Sequence, residues 1–151
     1  MTLDDNETTP FSLNLSGVGT EGYYEATANG AVLTFGDGVS QGDMSKKTLA
    51  APIISMALTP DGQGYWLLGQ DGGIFSFGDA AFYGSTGGIH LNKPVVGMAP
   101  TPDGAGYWAI AADGGVFNFG SSAHFYGSAP GELGAVGLST PSPVVGFAPT
   151  L

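Results

Sequence analysis

GYWLLGQDGGIFSFGDAAFYGS, residues 64–85, returns at residues 106–128 as GYWAIAADGGVFNFGSSAHFYGS. A more diverged copy, GYYEATANGAVLTFGDG, occupies residues 22–38. The three copies begin at Gly22, Gly64 and Gly106, at a constant spacing of 42 residues. A fixed period of this length is typical of repeat proteins, in which each unit buries its apolar face against its neighbours. The sequence therefore predicts three consecutive structural units of one kind.

Each full unit is predicted to be an all-β element of four short strands, at residues 52–58, 65–68, 74–77 and 81–83 of the middle unit. The turn TPDG at residues 59–62 joins the first two strands, because proline presets φ and glycine accepts a positive φ. The dipeptide Asp71-Gly72 is a hairpin signal between the second and third strands. The first unit departs from this pattern, since Tyr24 replaces the tryptophan and Asn29 replaces the hairpin aspartate.

Two architectures fit three such units. Four strands in about 42 residues match one blade of a β-propeller, which needs about four blades to close. The units would then have to combine with those of another chain. Alternatively, three four-stranded units close on themselves as a β-trefoil, with residues 11–15 beside residues 143–150. The Tyr-Trp strand and the Asp-Gly hairpin favour blade-like units.

The chain is predicted to consist of an arm and one domain. Residues 1–10 form an acidic, mobile arm, and residues 11–151 form a single all-β repeat domain. Its approximate units are residues 11–51 (unit 1), 52–93 (unit 2) and 94–142 (unit 3), followed by a closing or donated strand at residues 143–150. An unpaired strand edge pairs readily with another chain. We therefore expect assembly through apolar side chains near both ends, namely Phe11, Leu13, Leu15, Val144, Val145 and Phe147.

Composition and charge exclude several classes of partner and site. The 151 residues include 13 acidic side chains against three lysines, and the net charge is −10. Such a charge argues against nucleic acid or an anionic membrane as the partner. The absence of cysteine excludes disulfides and thiolate metal sites. The first ten residues lack the basic and apolar regions of a secretory signal, so either a signal has been removed or the protein leaves its cell by another route, such as lysis.

Residues 64–85 and 94–104 resemble a known repeat, GYWLVASDGGVFxFGDAxFYGS–PVVGMAxTPDG, which is common in extracellular proteins of actinobacteria. They are also similar to repeats in some proteins of the phages that infect those bacteria. The resemblance covers most of residues 22–150, strongly in units 2 and 3 and weakly in unit 1. Because such repeats often accompany cell-wall hydrolases or other secreted enzymes, the resemblance implies a non-catalytic role at an extracellular or virion surface. It implies no defined ligand and no site residues.

No catalytic constellation is predicted. His90 and His124 are expected to be exposed loop residues, and no cysteine nucleophile or GxSxG context is present. Paired carboxylates for glycoside hydrolysis need a defined separation within a cleft. The candidate acids instead lie in turns that already explain them, and these are Asp61, Asp71, Asp103 and Asp113. The chain is therefore predicted not to be an enzyme.

No cofactor is expected, although one calcium arrangement is open. Calcium sites combine several oxygen ligands, often at alternate positions of one loop. Each turn here offers only one carboxylate. The side chains of Asp71, Asp113 and Asn29 would form a ring of oxygen ligands only if the three hairpins converged near a symmetry axis.

Repeated aromatic residues give the best ligand-binding hypothesis. Tyrosine and tryptophan stack on sugar rings through a large apolar face with a polar edge. Repetition in each unit would make such a surface multivalent. The opposing interpretation is that the rings form the core between sheets, which we favour for Trp66 and Trp108. The candidate glycan-binding residues are Tyr65, Tyr83, Tyr107 and Tyr126.

Two functions remain open at this stage. The first is a structural protein, such as a subunit decorating a phage particle, held by its N-terminal arm and its C-terminal strand. The second is a glycan- or cell-wall-binding module that uses the repeated tyrosine and tryptophan sites. The expected partners are further copies of the chain or a larger surface assembly, and in the second case a glycan.

Overall fold

The computed structural model describes residues 21–137 and 142–150. They form eight strands in three small antiparallel sheets and one short helix, which confirms the predicted all-β class. The predicted arm at residues 1–10 and the predicted assembly residues Phe11, Leu13 and Leu15 lie outside the described residues. The elements are β1 (Gly22–Ala26), β2 (Val32–Gly36), β3 (Ile53–Leu58), β4 (Gly64–Gly69), β5 (Ile74–Gly78), β6 (Val95–Pro100), β7 (Gly106–Ala111), β8 (Val116–Gly120) and α1 (Ala129–Ala135).

Each sheet corresponds to one sequence unit. The sheets have the orders β1-β2, β3-β4-β5 and β6-β7-β8, so neighbouring strands are consecutive in the chain. Every residue of β4 and β7 is buried. This is the pattern expected of a strand with a packed layer on both of its faces.

Two apolar clusters lie between the sheets. The residues of β4 alternate between them, because successive side chains of a strand point to opposite faces. Tyr65 and Leu67 belong to the cluster that includes Val32 of unit 1. Trp66 and Leu68 belong to the cluster shared with unit 3, whose members include Val95, Met98 and Tyr107. Each unit is therefore buried by its neighbours, as the 42-residue repeat predicts.

The predicted fourth strand of each unit is wrong. Residues 81–83 and 125–126 form no strand, because side chains from other elements take their backbone groups. The Trp66 indole N–H donates to the Ala81 carbonyl at 2.7 Å, and the Tyr83 N–H donates to the Tyr107 hydroxyl at 2.9 Å. In unit 3 the Trp108 indole N–H donates to the His124 carbonyl at 2.8 Å. These segments are therefore loops that bond to the tryptophan of their own unit and, at Tyr83, to the next unit.

The two ends of the described chain hold incomplete sheets. Unit 1 has only β1 and β2 among its described residues. Residues 142–150 form no strand, although residues 143–150 were predicted to be one. The structure also has a helix, α1, where the sequence predicted only an insertion. Within the described residues, no helix is long and apolar enough to cross a bilayer.

Candidate functional site: the two open ends of the repeat

The two internal contacts between units share one polar anchor. In each contact, a tyrosine hydroxyl of the following unit donates to the carbonyl of a glycine in the preceding unit. The same hydroxyl accepts a hydrogen bond from the N–H of the residue before that glycine. Tyr65 bonds in this way to Gly42 at 2.6 Å and to the Gln41 N–H at 3.0 Å. The corresponding bonds of Tyr107 are to Gly84 at 2.7 Å and to the Tyr83 N–H at 2.9 Å. Burial raises the pKa of Tyr107, so the protonated hydroxyl that donates to Gly84 is further favoured.

An aromatic contact accompanies each polar anchor. The Tyr24 and Tyr65 rings lie 5.5 Å apart, and the Trp66 and Tyr107 rings lie 5.5 Å apart at 64°. Tilted pairs at this distance add stabilisation beyond the burial of their area. Units 1 and 2 therefore each offer an aromatic residue on one face and receive a tyrosine from the next unit.

Unit 3 has the same features, but the described residues include only a short segment, residues 142–150, beyond it. An open pocket of about 410 Å³ lies beside Trp108. We call it the C-terminal groove, and its lining includes Trp108, Val116, Tyr126, Gly127 and Phe147. Tyr126 is 84 % exposed, whereas its counterpart Tyr83 is half-buried against Tyr107. The groove thus corresponds to the surface that the following unit covers in units 1 and 2.

The C-terminal segment occupies one side of this groove. The Val144 N–H donates to the Ala112 carbonyl at 2.7 Å, and the Phe147 ring lies 6.5 Å from Trp108. Val144 and Phe147 are only half-buried, while Val145 is 86 % exposed. The segment therefore contacts unit 3 without being enclosed by the described chain.

Unit 1 presents the opposite open end. The N-terminal face, defined by Tyr23, Leu33 and Phe35, carries exposed apolar side chains. Tyr23 is 62 % exposed, whereas its counterparts Tyr65 and Tyr107 are 0 % exposed. The Tyr23 ring stacks on Phe35 at 5.2 Å. This face has the residue types of an internal contact between units but remains open in the described structure.

The predicted glycan-binding tyrosines fall in different environments. Tyr65 and Tyr107 are fully buried and their hydroxyls are hydrogen bonded, so neither ring is accessible to an external sugar. The Tyr83 hydroxyl donates to the Gly104 carbonyl at 2.8 Å. Of the four, only Tyr126 presents its ring fully at the surface. Trp66 is buried, as the core interpretation predicted, and Trp108 is 9 % exposed.

The three hairpin side chains proposed for calcium each serve their own turn. The carboxylates of Asp71 and Asp113 accept the Gly73 N–H at 2.9 Å and the Gly115 N–H at 3.0 Å. The Asn29 amide oxygen lies 3.4 Å from the Ala31 nitrogen. Within residues 21–137 and 142–150, no three histidine or acidic side chains are grouped closely enough to hold a metal ion.

A pair of carboxyl groups, which sequence reasoning missed, lies beside Thr59. The Thr59 hydroxyl oxygen is 2.8 Å from Asp61 and 3.1 Å from Asp79. The protonated Asp79 carboxyl donates a hydrogen bond to the Asp61 carboxylate, and this bond raises the pKa of Asp79. The pKa of Asp61 is lowered, first by the Gln63 N–H and then by the Thr59 hydroxyl. The two acids are 18 positions apart in the sequence, so only the fold brings them together.

Unit 3 replaces this acid pair with an acid and a serine. The Ser122 hydroxyl donates to Asp103 at 2.6 Å, and this bond is the largest cause of the lowered Asp103 pKa, which is about 2. In unit 3 the partner of the turn aspartate is therefore a neutral hydroxyl, which donates a hydrogen bond without charge repulsion.

Replacing Asp79 with serine is expected to stabilise the protein at pH 7. An aspartate whose folded pKa is raised stabilises the fold below the unfolded value of about 3.8 and loses that contribution as pH rises through the folded pKa. Asp79→Ser removes this loss and supplies the hydroxyl that Ser122 provides in unit 3. Thermal melts should show a higher Tm than the parent at pH 7 and a smaller gain at pH 3. Asp79→Asn is the matched control for charge removal, and a gain larger at pH 3 would contradict the assignment.

The two histidines are exposed, as expected. The His124 ring meets the Tyr126 ring edge-on at 6.3 Å, beside the C-terminal groove. His90 lines a separate open pocket of about 420 Å³ with Asp71 and Lys93.

Comparisons of the chain with protein-family models, with curated proteins and with solved structures find no match.

Proposed function

We propose that the chain is a non-enzymatic structural β-repeat protein that assembles from several copies through its two ends. The observation that carries this proposal is the C-terminal segment, which starts a further unit on unit 3. Its sequence, PVVGFAPT at residues 143–150, differs from residues 94–101 only where Phe147 replaces Met98. The strands that would complete that unit are not found among the described residues.

The backbone anchor of this segment supports the proposal. In units 2 and 3, the first strand begins with an N–H that bonds to the hairpin of the preceding unit, from Ile53 to Ala28 and from Val95 to Gln70. The Val144 N–H bonds to Ala112, the corresponding hairpin position of unit 3. The segment thus has the position of a first strand, and its free edge is a site for pairing with another chain.

The proposal includes blade-like units rather than a trefoil. Each unit forms its own antiparallel sheet of consecutive strands, and the middle strand contributes side chains to the layers on both sides. Face-to-face stacking of this kind extends by adding units at either end. Copies joined end to end would therefore continue the same stack and could close it into a ring.

A location on an extracellular or virion surface is part of the same proposal. It is supported by the resemblance to secreted and phage repeats and by the acidic composition, with a net charge of −10. A high net charge of one sign limits nonspecific association. Assembly would then require a specific apolar contact that overcomes charge repulsion, and it should strengthen with added salt.

Removing residues 143–151 is expected to weaken this assembly or the folding of the chain. The full chain should show a discrete mass that is a multiple of 15.2 kDa by light scattering after size exclusion. The truncated chain should show the monomer mass or a lower melting temperature, because the donated segment and its contact with Trp108 are lost. An unchanged mass together with an unchanged melting temperature would contradict the proposal.

A glycan-binding function is the second candidate, and the exposure of Tyr126 favours it. This ring lies at the rim of an open groove beside His124 and Trp108, and aromatic rings in such positions stack on sugars. A glycan array probed with the parent and with a Tyr83→Ala, Tyr126→Ala double variant tests it. Binding that survives the double change would remove both residues from the site.

A further inference from the structure

We propose that a second copy of this chain covers the C-terminal groove with its N-terminal face, and that the Tyr23 hydroxyl of that copy bonds to the backbone of Gly127 and Tyr126. This inference depends on the proposed self-assembly and names the two surfaces that meet. Both internal contacts of the chain have this arrangement. The groove and the face are the two halves of a third such contact, and each lacks its counterpart in the described structure.

The receiving backbone already has the required shape. Gly127 has φ 121°, close to the 115° of Gly42 and the 128° of Gly84, the two glycines that accept a tyrosine hydroxyl internally. A positive φ in this range is accessible mainly to glycine. The Gly127 carbonyl and the Tyr126 N–H have no partner among the hydrogen bonds of the described residues. Beside Gly42 and Gly84 lies a phenylalanine ring of the following unit, whereas the Glu132 side chain of α1 lies beside Gly127. An incoming hydroxyl can therefore reach these two backbone groups once the flexible Glu132 side chain moves aside.

Tyr23, the incoming tyrosine, has the same sequence and strand position as the two tyrosines of the internal contacts. Tyr23 follows Gly22, as Tyr65 follows Gly64 and Tyr107 follows Gly106. Each of the three packs against the phenylalanine opposite it: Tyr23 is stacked at 5.2 Å, and the other two ring pairs are tilted at 5.7 Å. Tyr23 thus has the same register position on its sheet as the two buried tyrosines.

The aromatic partner of Tyr23 would be Trp108. Internally, the residue after each tyrosine packs against the tyrosine of the next unit at 5.5 Å. Trp108 is the third such residue, and Phe147 at 6.5 Å is its aromatic neighbour in the described chain. Adding Tyr23 of a second copy would restore the internal geometry. It would also enclose Phe147, whose counterpart Met98 is 9 % exposed.

The C-terminal segment would then lie along β1 of the second copy, as β3 and β6 lie along β4 and β7. This register places Phe147 opposite Glu25. The corresponding pairs are Met56 with Leu67 in unit 2 and Met98 with Ala109 in unit 3. Glu25 is therefore a carboxylate at a position where the internal contacts have an apolar side chain. Burying a charge without a partner opposes association, so Glu25 should weaken this contact.

The contact is heterologous, because two different surfaces meet. Such contacts produce closed rings or open filaments rather than an interface in which one surface meets its own copy. Each copy would use its face on one neighbour and its groove on the other. This asymmetry gives a test that does not depend on the final number of copies.

The experiment measures the dissociation constant of the full chain and its variants by analytical ultracentrifugation. Tyr23→Phe should weaken assembly about tenfold, since it leaves one buried donor and one acceptor unpaired. Tyr23→Ala should weaken assembly by a further tenfold or more, because it also removes the ring from Trp108. Glu25→Leu, which introduces the residue found at position 67, should strengthen it severalfold. Phe82→Ser is the control, since this exposed ring lies on neither surface, and it should leave the constant unchanged.

A mixing experiment tests the asymmetry. The Tyr23→Ala variant keeps an intact groove, and a chain lacking residues 143–151 keeps an intact N-terminal face. Neither should assemble alone, whereas an equal mixture should form a 1:1 dimer and nothing larger. Circular dichroism of each variant checks that it is folded.

The outcomes separate this inference from the proposed function. If the parent assembles and the Tyr23 and Glu25 variants shift the constant in opposite directions, the inference is supported. If the parent assembles but the Tyr23 variants match it, this contact is overturned while self-assembly stands. If the parent remains a monomer at all concentrations, both are overturned.

Discussion

Trp66→Ala is expected to lower the free energy of unfolding by about 3–5 kcal/mol, the usual cost of removing a buried large aromatic side chain. Trp66 is 0 % exposed and lies in the cluster between units 2 and 3 with Leu68, Met98 and Tyr107. The change also leaves the Ala81 carbonyl without its indole donor. Denaturation in urea, followed by circular dichroism, gives the free energy.

Trp108→Ala is the matched control for this change. Trp108 occupies the same position of its unit and donates an equivalent indole bond to His124 at 2.8 Å. Its outer face meets the C-terminal groove instead of a complete unit. In dilute solution, where chains are separate, its replacement should therefore cost clearly less than that of Trp66. Equal losses would contradict the assignment of the cluster between units as the main source of stability.

The hairpin and turn chemistry was the most predictable part of the fold. The Asp71-Gly72 signal corresponds to the turn between β4 and β5, where Gly72 has φ 84°. The predicted TPDG turn joins β3 to β4, and Gly62 has φ 73°. These conformations depend on local residue types, so a local pattern is sufficient to predict them.

The fourth strand was wrong for a nonlocal reason. Residues 81–83 have the composition of a strand, but their backbone groups are taken by Trp66 and by Tyr107 of the next unit. These backbone groups can bond either to a neighbouring strand or to side chains distant in the sequence. A local sequence pattern does not show which of the two they bond. The helix α1 could be predicted more readily from the sequence, because three of its residues are helix-start signals: Ser128 at the N-cap, and Pro130 and Glu132 in the first turn.

The candidate site could be predicted only in part. Tyr23, Tyr65 and Tyr107 follow the same glycine of the repeat, yet one is exposed and two are buried. Which of them is open depends on whether a unit precedes it in the stack. The repeat period therefore predicts a tyrosine of this type in each unit, while its role depends on the position of the unit along the chain.

Gly78→Ala is expected to destabilise the protein by about 2–5 kcal/mol, combining the cost of a left-handed conformation with that of steric overlap. Gly78 ends β5 with φ 67° and pairs in register with Gly64. A Cβ atom there would lie 2.3 Å from the Gln63 carbonyl oxygen and 2.8 Å from the Gly64 Cα. Both obstacles are backbone atoms of β4 or the residue before it, so they cannot move aside without disturbing the strand pair.

Gly62→Ala separates the two costs. Gly62 has nearly the same dihedral, φ 73°, but a Cβ atom there would have nothing within 4 Å. Its replacement should therefore cost only the conformational part, about 1–2 kcal/mol. The same glycine pair recurs as Gly22 with Gly36 and Gly106 with Gly120. If Gly78→Ala costs no more than Gly62→Ala in urea denaturation, close backbone approach is not the reason for these pairs; a larger loss at Gly78 would identify it as the physical cause of the recurring glycines.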